Sequence, residues 1–188
     1  MRIPTCKLQP YDTDLKVPFF AMGPGISAGS SSQVMTGHID LAPTVLDLLG
    51  VTVPAHMQGR SLRPLLRGGS APADWRQEYL FGYAGSTVYR PYPRHNDSSY
   101  WISADNSSYI GLRIVNATHD LVYTEFFFNT SGLLEASLLP EVPMEVEVFD
   151  RLSDPWQVSN LWRQWKAGTP DTLAQLHRRL RAQYASPH

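Results

Sequence analysis

His38-Ile39-Asp40-Leu41-Ala42-Pro43-Thr44-Val45-Leu46-Asp47-Leu48-Leu49-Gly50 is the stretch on which the fold turns. Leu41, Val45, Leu48 and Leu49 recur at helical spacing, Pro43 falls in the first turn where its missing N–H is tolerated, and Gly50 supplies the stop. The pattern predicts a helix with one apolar face, capped by the carboxylate of Asp40. Upstream, the apolar residues 17–22 predict a buried strand that ends at Gly23-Pro24-Gly25, a turn signal that cannot continue a ladder. Downstream, Ser61 is placed to cap a short helix over 62–66 that ends at Gly68-Gly69, and the small residues of 68–73 form a linker.

Beyond the linker the period changes from helical to alternating. Short β-type runs fall at 78–83, 109–115, 121–128 and 144–149, where Val146 and Val148 alternate with Glu145 and Glu147. Consecutive short strands predict antiparallel pairing. Residues 89–95 carry Arg90-Pro91-Tyr92-Pro93-Arg94 and read as a long exposed loop. A short helix is expected over 160–165. A final helix starts with Thr169 as cap and Pro170 at its first position, and Leu173, Leu176, Leu180 and Tyr184 form its apolar stripe against the sheet.

The chain has 188 residues, 43% of them hydrophobic and 18% charged, which excludes a disordered, collagenous or coiled-coil protein. Its formal net charge of −1 provides no global field for nucleic acid or an anionic membrane, and no apolar run is long enough to span a bilayer. Residues 1–16 lack the apolar core of a signal peptide, which by itself points to the cytosol. The asparagines contradict that. Asn96, Asn106, Asn116 and Asn129 each head an Asn-X-Ser/Thr triplet and only Asn160 does not, a pattern that marks glycosylation acceptors of a secretory chain. The expectation is therefore a secretory protein whose natural N-terminus lies upstream of Met1. The single Cys6 is either a buried thiol or one half of a pair.

Few motifs carry chemistry. Gly25-Ile26-Ser27-Ala28-Gly29 matches a nucleophile elbow, but Ser30, Ser31 and Ser32 follow where that motif needs a helix, so a flexible loop is favoured over a serine hydrolase. The histidines at 38, 56, 95, 119, 177 and 188 show no metal-binding spacing, and Asp12-Thr13-Asp14 without the rest of a calcium loop reads as a solvated turn. Arg178, Arg179 and Arg181 sit where the dipole of a helix C-terminus favours cations, with or without an anionic ligand.

Taken in order, Lys7, Tyr11-Asp12-Thr13-Asp14-Leu15-Lys16-Val17-Pro18, Gly23-Pro24-Gly25-Ile26, residues 38–47 and Gly59-Arg60-Ser61-Leu62-Arg63-Pro64-Leu65-Leu66 resemble the sulfatase family. Asp74-Trp75-Arg76, Tyr109, residues 145–150 and Asp154-Pro155-Trp156-Gln157 with Asn160-Leu161 resemble that family's C-terminal part, in its N-acetylglucosamine-6-sulfatase branch. The resemblance implies the end of an alkaline-phosphatase-like α/β domain over 1–70, incomplete here. A small α+β subdomain with an antiparallel sheet and a C-terminal helix would follow over 71–188. It also implies hydrolysis of a sulfate ester by a formylglycine made from the Cys of a Cys-X-Pro-Ser-Arg motif, beside Ca2+. Neither that motif nor the calcium ligands match any part of this sequence, so the chain alone is expected to be inactive. Only Lys7 carries over, at the place of the family's sulfate-contacting lysine, where a point charge stabilises the developing anion.

The implied substrate is a sulfated glycosaminoglycan or sugar, specifically 6-sulfated N-acetylglucosamine. The alternative is a non-catalytic or vestigial module that holds a sulfated glycan on Arg90, Arg94 and the aromatic residues of loop 89–95.

Overall fold

The computed structural model describes residues 9–84, 107–128 and 139–186. The chain divides into two compact units, one formed by Glu78–Pro187 together with the segment that ends at Val17, the other by Pro18–Gln77. The sequence boundary at 70/71 thus differs from the structural one in two respects. The segment through Val17 joins the sheet unit, because Tyr11 and Asp12 bind side chains of the sheet. Trp75 and Arg76 stay with the preceding unit, because their partners are Met35 and Asp40.

The sheet unit is a meander of β1 (Glu78–Tyr83), β2 (Ser107–Val115), β3 (Asp120–Phe128) and β4 (Glu145–Asp150), every neighbouring pair antiparallel. The alternating sequence sets its two faces. Ile110, Leu112, Ile114, Leu121, Tyr123, Phe127, Val146 and Val148 form one face and bury Leu176 and Leu180 of α5 (Pro170–Ala185). Leu173 and Tyr184 pack at its margin, so the predicted stripe is the docking face. Thr169 does not cap α5: its hydroxyl donates to the Trp165 carbonyl of the preceding helix, α4 (Trp162–Gly168), 3.4 Å away. That helix starts two residues later than the sequence predicts. Asn160 accounts for the shift, because its Oδ1 accepts the Val148 and Trp162 amides while its Nδ2 donates to the Val146 carbonyl, tying the helix start to β4. On the opposite face Tyr109, Val122, Thr124 and Phe149 are buried. There the Phe81 ring lies over Gly111, its cross-strand partner, in space that a side chain at 111 would fill.

The other unit contains a 3-10 turn (His38–Asp40), α2 (Leu41–Leu48) and α3 (Arg63–Leu66) around Asp40, Pro43, Thr44, Leu62 and Trp75. The helix expected between Asp40 and Gly50 forms over Leu41–Leu48 with Asp40 at its N-cap position, but the Asp40 carboxylate caps none of its amides. The 3-10 turn puts Asp40 at φ −82° and ψ −13°, and its carboxylate turns inward to the Gly37 and Arg60 amides and to Arg76. Gly59 lets the following turn pass so close to the Ile39 carbonyl that a Cβ would stand 1.8 Å from its oxygen. Residues 17–22 are irregular and exposed, and pair with no strand among the described residues, which corrects the expectation of a buried strand. Strand ladders need a neighbour, and here apolar composition alone supplied none. The intended cap Ser61 lies one residue ahead of the observed boundary, where its hydroxyl accepts the Arg63 amide and donates to Asp47.

Candidate functional site

The segment that follows the position of Lys7 is fixed to the sheet by a cluster of side chains drawn from four parts of the chain. Tyr11 lies edge-on to Phe149, ring centroids 6.0 Å apart, and donates its hydroxyl to Glu147 Oε1 at 3.0 Å. Asp12 opens α1 (Asp12–Leu15) and receives Arg113 on Oδ1 at 2.6 Å and Arg151 on Oδ2 at 2.8 Å. Asp120 closes the network by taking a two-pronged contact from Arg113, 2.9 Å on each oxygen. The Asp12 amide donates to Gln157 Oε1 at 2.8 Å. Gln157 reaches it from a left-handed backbone, φ 54°, at the end of the Asp154-Pro155-Trp156-Gln157 turn. A non-glycine residue held there stores strain, which marks the turn as shaped for this contact.

Asp12 is therefore a half-buried member of an ion-pair network and not a solvated turn. Its partners lie 101 and 139 positions away, and that separation left no local signal. The same holds at the other end of the sheet. Glu125 is fully buried on β3 and bonded to the Tyr123 hydroxyl at 2.7 Å, His177 Nδ1 at 2.7 Å and Arg181 at 2.9 Å. Arg179 pairs with Glu78. Two of the three C-terminal arginines thus hold α5 on the sheet by specific carboxylates, which the dipole argument did not find. An open depression beside them, about 310 Å³, is lined by Leu139, Glu141, His177, Arg181, Tyr184 and Ala185. Both basic groups there already face Glu125, so little positive charge is left for an anion.

The Glu147 carboxyl is pushed up to about 7, first by burial and then by the like charge of Glu145, against the lowering effect of the Tyr11 hydrogen bond. The folded chain holds this proton between roughly pH 4.5 and pH 7 while the unfolded chain releases it. Stability from Glu147 is thus complete below about pH 4.5 and declines as pH rises through 7, by about 3 kcal/mol in all. Urea midpoints taken across that range should fall with pH, and Glu147→Gln should remove this component of the slope.

Lys7 and Cys6 lie outside the described residues, as do Asn96, Asn106, Asn129 and the loop with Arg90 and Arg94; Asn116 lies within them, exposed in the β2–β3 turn. No helix follows Ser27, whose amide instead donates to the Leu66 carbonyl at 2.8 Å. Among the described residues no three His, Cys, Asp or Glu side chains gather as a metal site. Asp12 and Asp120, which share Arg113 and Arg151, are committed to those arginines. The described residues do not fit Ca2+.

The family model for the C-terminal region of N-sulphoglucosamine sulphohydrolase matches residues 7–105. The chain belongs to the sulfatase family. What it represents is a C-terminal sulfatase portion: it is 31% identical to N-acetylglucosamine-6-sulfatase of Homo sapiens over 189 aligned positions, 95% of this chain and 31% of that protein. The chain thus spans about a third of the length of the curated relatives that it matches from end to end. Among solved structures, one of an enzyme in complex with its substrate D-glucosamine-2-N,6-O-disulfate is similar at a TM-score of 0.55 and 28% identity, over 85% of this chain and 26% of that one. A phosphonate monoester hydrolase from Silicibacter pomeroyi is similar at a TM-score of 0.50 and 26% identity, over 86% of this chain and 27% of that one. The sulfatase C-terminal architecture thus occurs with more than one ester chemistry, and fold alone does not assign a substrate.

Proposed function

We propose that this chain is the C-terminal portion of a sulfuric ester hydrolase that removes the 6-sulfate of N-acetylglucosamine in glycosaminoglycans, in a lysosomal or secreted setting. The observation that carries the reading is the 31% identity to N-acetylglucosamine-6-sulfatase across 95% of the chain. The disulfated glucosamine bound to the similar solved enzyme supports the sugar class. In this reading Lys7 contacts the sulfate, while the formylglycine nucleophile and Ca2+ belong to an α/β body that this chain completes. Phe20, Met22 and Leu49 of the second unit are 90%, 94% and 72% exposed, and apolar surface of that kind supports a body seated against it.

The anchoring cluster gives the segment after Lys7 its purpose. A cation that stabilises a departing sulfate helps only if it is fixed before reaction, and Tyr11 and Asp12 fix the chain four and five residues beyond it. The 188-residue chain alone should show no sulfate release. Joined to a sulfatase α/β body with the Cys-X-Pro-Ser-Arg motif and supplied with Ca2+, it should desulfate N-acetylglucosamine-6-sulfate. Lys7→Ala should lower kcat/KM by about 10²–10³-fold, the usual loss on removing one such electrostatic group. A joined protein that folds yet releases sulfate from no sugar or aryl ester would overturn the proposal.

A further inference from the structure

Asn116 and Asn160 are used by the fold in opposite ways. Both nitrogen and oxygen of the Asn160 side chain are spent on β4 and the start of α4. Asn116 is exposed at the β2–β3 turn, where the ladder ends at the Val115–Asp120 pair and the Asn116 amide donates to the His119 carbonyl at 2.9 Å. Its Oδ1 accepts the Thr118 amide at 2.9 Å, the His119 amide at 2.9 Å and the Thr118 hydroxyl at 3.1 Å. His119 Nδ1 lies 2.7 Å from that hydroxyl and 3.3 Å from Asn116 Oδ1. Nδ2 bonds to nothing among the described residues and remains on the outside of the turn.

We propose that Asn116 is the attachment point of an N-linked oligosaccharide. An amide nitrogen is a poor nucleophile because its lone pair is shared with the carbonyl, and reaction places negative charge on Oδ1 as Nδ2 gives up a proton. Three donors already converge on that oxygen, and hydrogen bonds to a developing charge favour it. The Thr118 hydroxyl, two positions on, is the donor that the Asn-X-Ser/Thr pattern specifies. The co-reactant is a lipid-diphosphate-linked oligosaccharide. Nδ2 bonds to the anomeric carbon, the bond from that carbon to the diphosphate oxygen breaks with its electron pair leaving on the diphosphate, and one Nδ2 proton passes to a base of the transferring enzyme. The turn lies between Arg113 and Asp120, whose side chains pair with each other, and a sugar on Nδ2 replaces none of those contacts.

This inference shares with the proposed function only passage through a secretory compartment. The test is the full 188-residue chain, directed by an added signal peptide through the secretory pathway of a eukaryotic cell and recovered from the medium. Enzymatic removal of glycans in 18O water marks each formerly occupied asparagine as 18O-aspartate. Peptide mapping should find that mark at 116 and unmodified Asn160 in the same molecules. Thr118→Ala should abolish the mark at 116, and Thr118→Ser should retain it. An unmarked Asn116 in chains glycosylated elsewhere, or in secreted chains glycosylated nowhere, would overturn the inference. Sulfate release plays no part in the readout, so failure of the sulfatase reading leaves this result standing.

Discussion

Replacing Arg76 by methionine should destabilise the Pro18–Gln77 unit by about 3–5 kcal/mol, the loss seen when one partner of a buried ion pair is removed. The guanidinium meets both oxygens of Asp40 at 2.6 Å, and the Asp40 side chain is wholly buried. Burial alone would raise the Asp40 carboxyl; the Arg76 contact and the Arg60 and Gly37 amides outweigh it and hold the carboxyl below its ordinary range. Without Arg76 the two amides at 2.8 and 2.9 Å remain against the full desolvation of the charge. Trp75 also loses one of the two guanidinium groups over its ring, at 5.5 Å. Urea unfolding monitored by tryptophan fluorescence measures the effect, and the double variant Asp40→Asn with Arg76→Met should recover part of it because no charge is then left unpaired. Equal stability of Arg76→Met and the wild type would show that the pair does not hold this unit. Because the Asp40 carboxyl is lowered, its stabilisation is present above the carboxylate range and is lost as pH falls through its folded value, opposite in sign to Glu147.

Arg181→Met should weaken the sheet unit by a similar amount, about 3–5 kcal/mol. Glu125 is fully buried under α5 and keeps only the Tyr123 hydroxyl and His177 once Arg181 is gone. The arginine also donates to the Pro140 carbonyl at 2.8 Å and lies 5.0 Å over the Phe127 ring, so its loss removes packing as well as charge. Glu125→Gln in the same chain should restore part of the stability, since a neutral amide does not leave a buried charge behind. A loss of less than about 1 kcal/mol, as at exposed pairs, would mean that water reaches Glu125 and that the apolar stripe alone docks the helix.

These two clusters show where sequence reading ran out. The α5 stripe was legible because Leu173, Leu176 and Leu180 follow a helical period, and the strands because their residues alternate. Asp40 was recognised as a helix-start residue, yet its carboxylate serves Arg76, 36 positions away, and not the helix amides. Asp12 looked like part of a polar turn and proved to be the centre of a network of two arginines. Residues 17–22 had the composition of a strand without a strand beside them. For Asp40 and Asp12 the local pattern gave the polarity while the partner came from a distant segment; for 17–22 no partner came at all.

By itself the sequence determined the four strands and helices α2–α5, the antiparallel character of the sheet and the face that α5 presents, and its motifs carried the sulfatase likeness. The elements and their faces follow from periodicity and turn chemistry, which act over a few residues, whereas the likeness rests on the motifs alone. Only the tertiary structure decided which acidic groups are buried, that the segment ending at Val17 belongs with the sheet, and that Glu147 holds its proton toward neutral pH. Each of those depends on desolvation and on charges brought together from far along the chain, and neither quantity exists until the chain has folded.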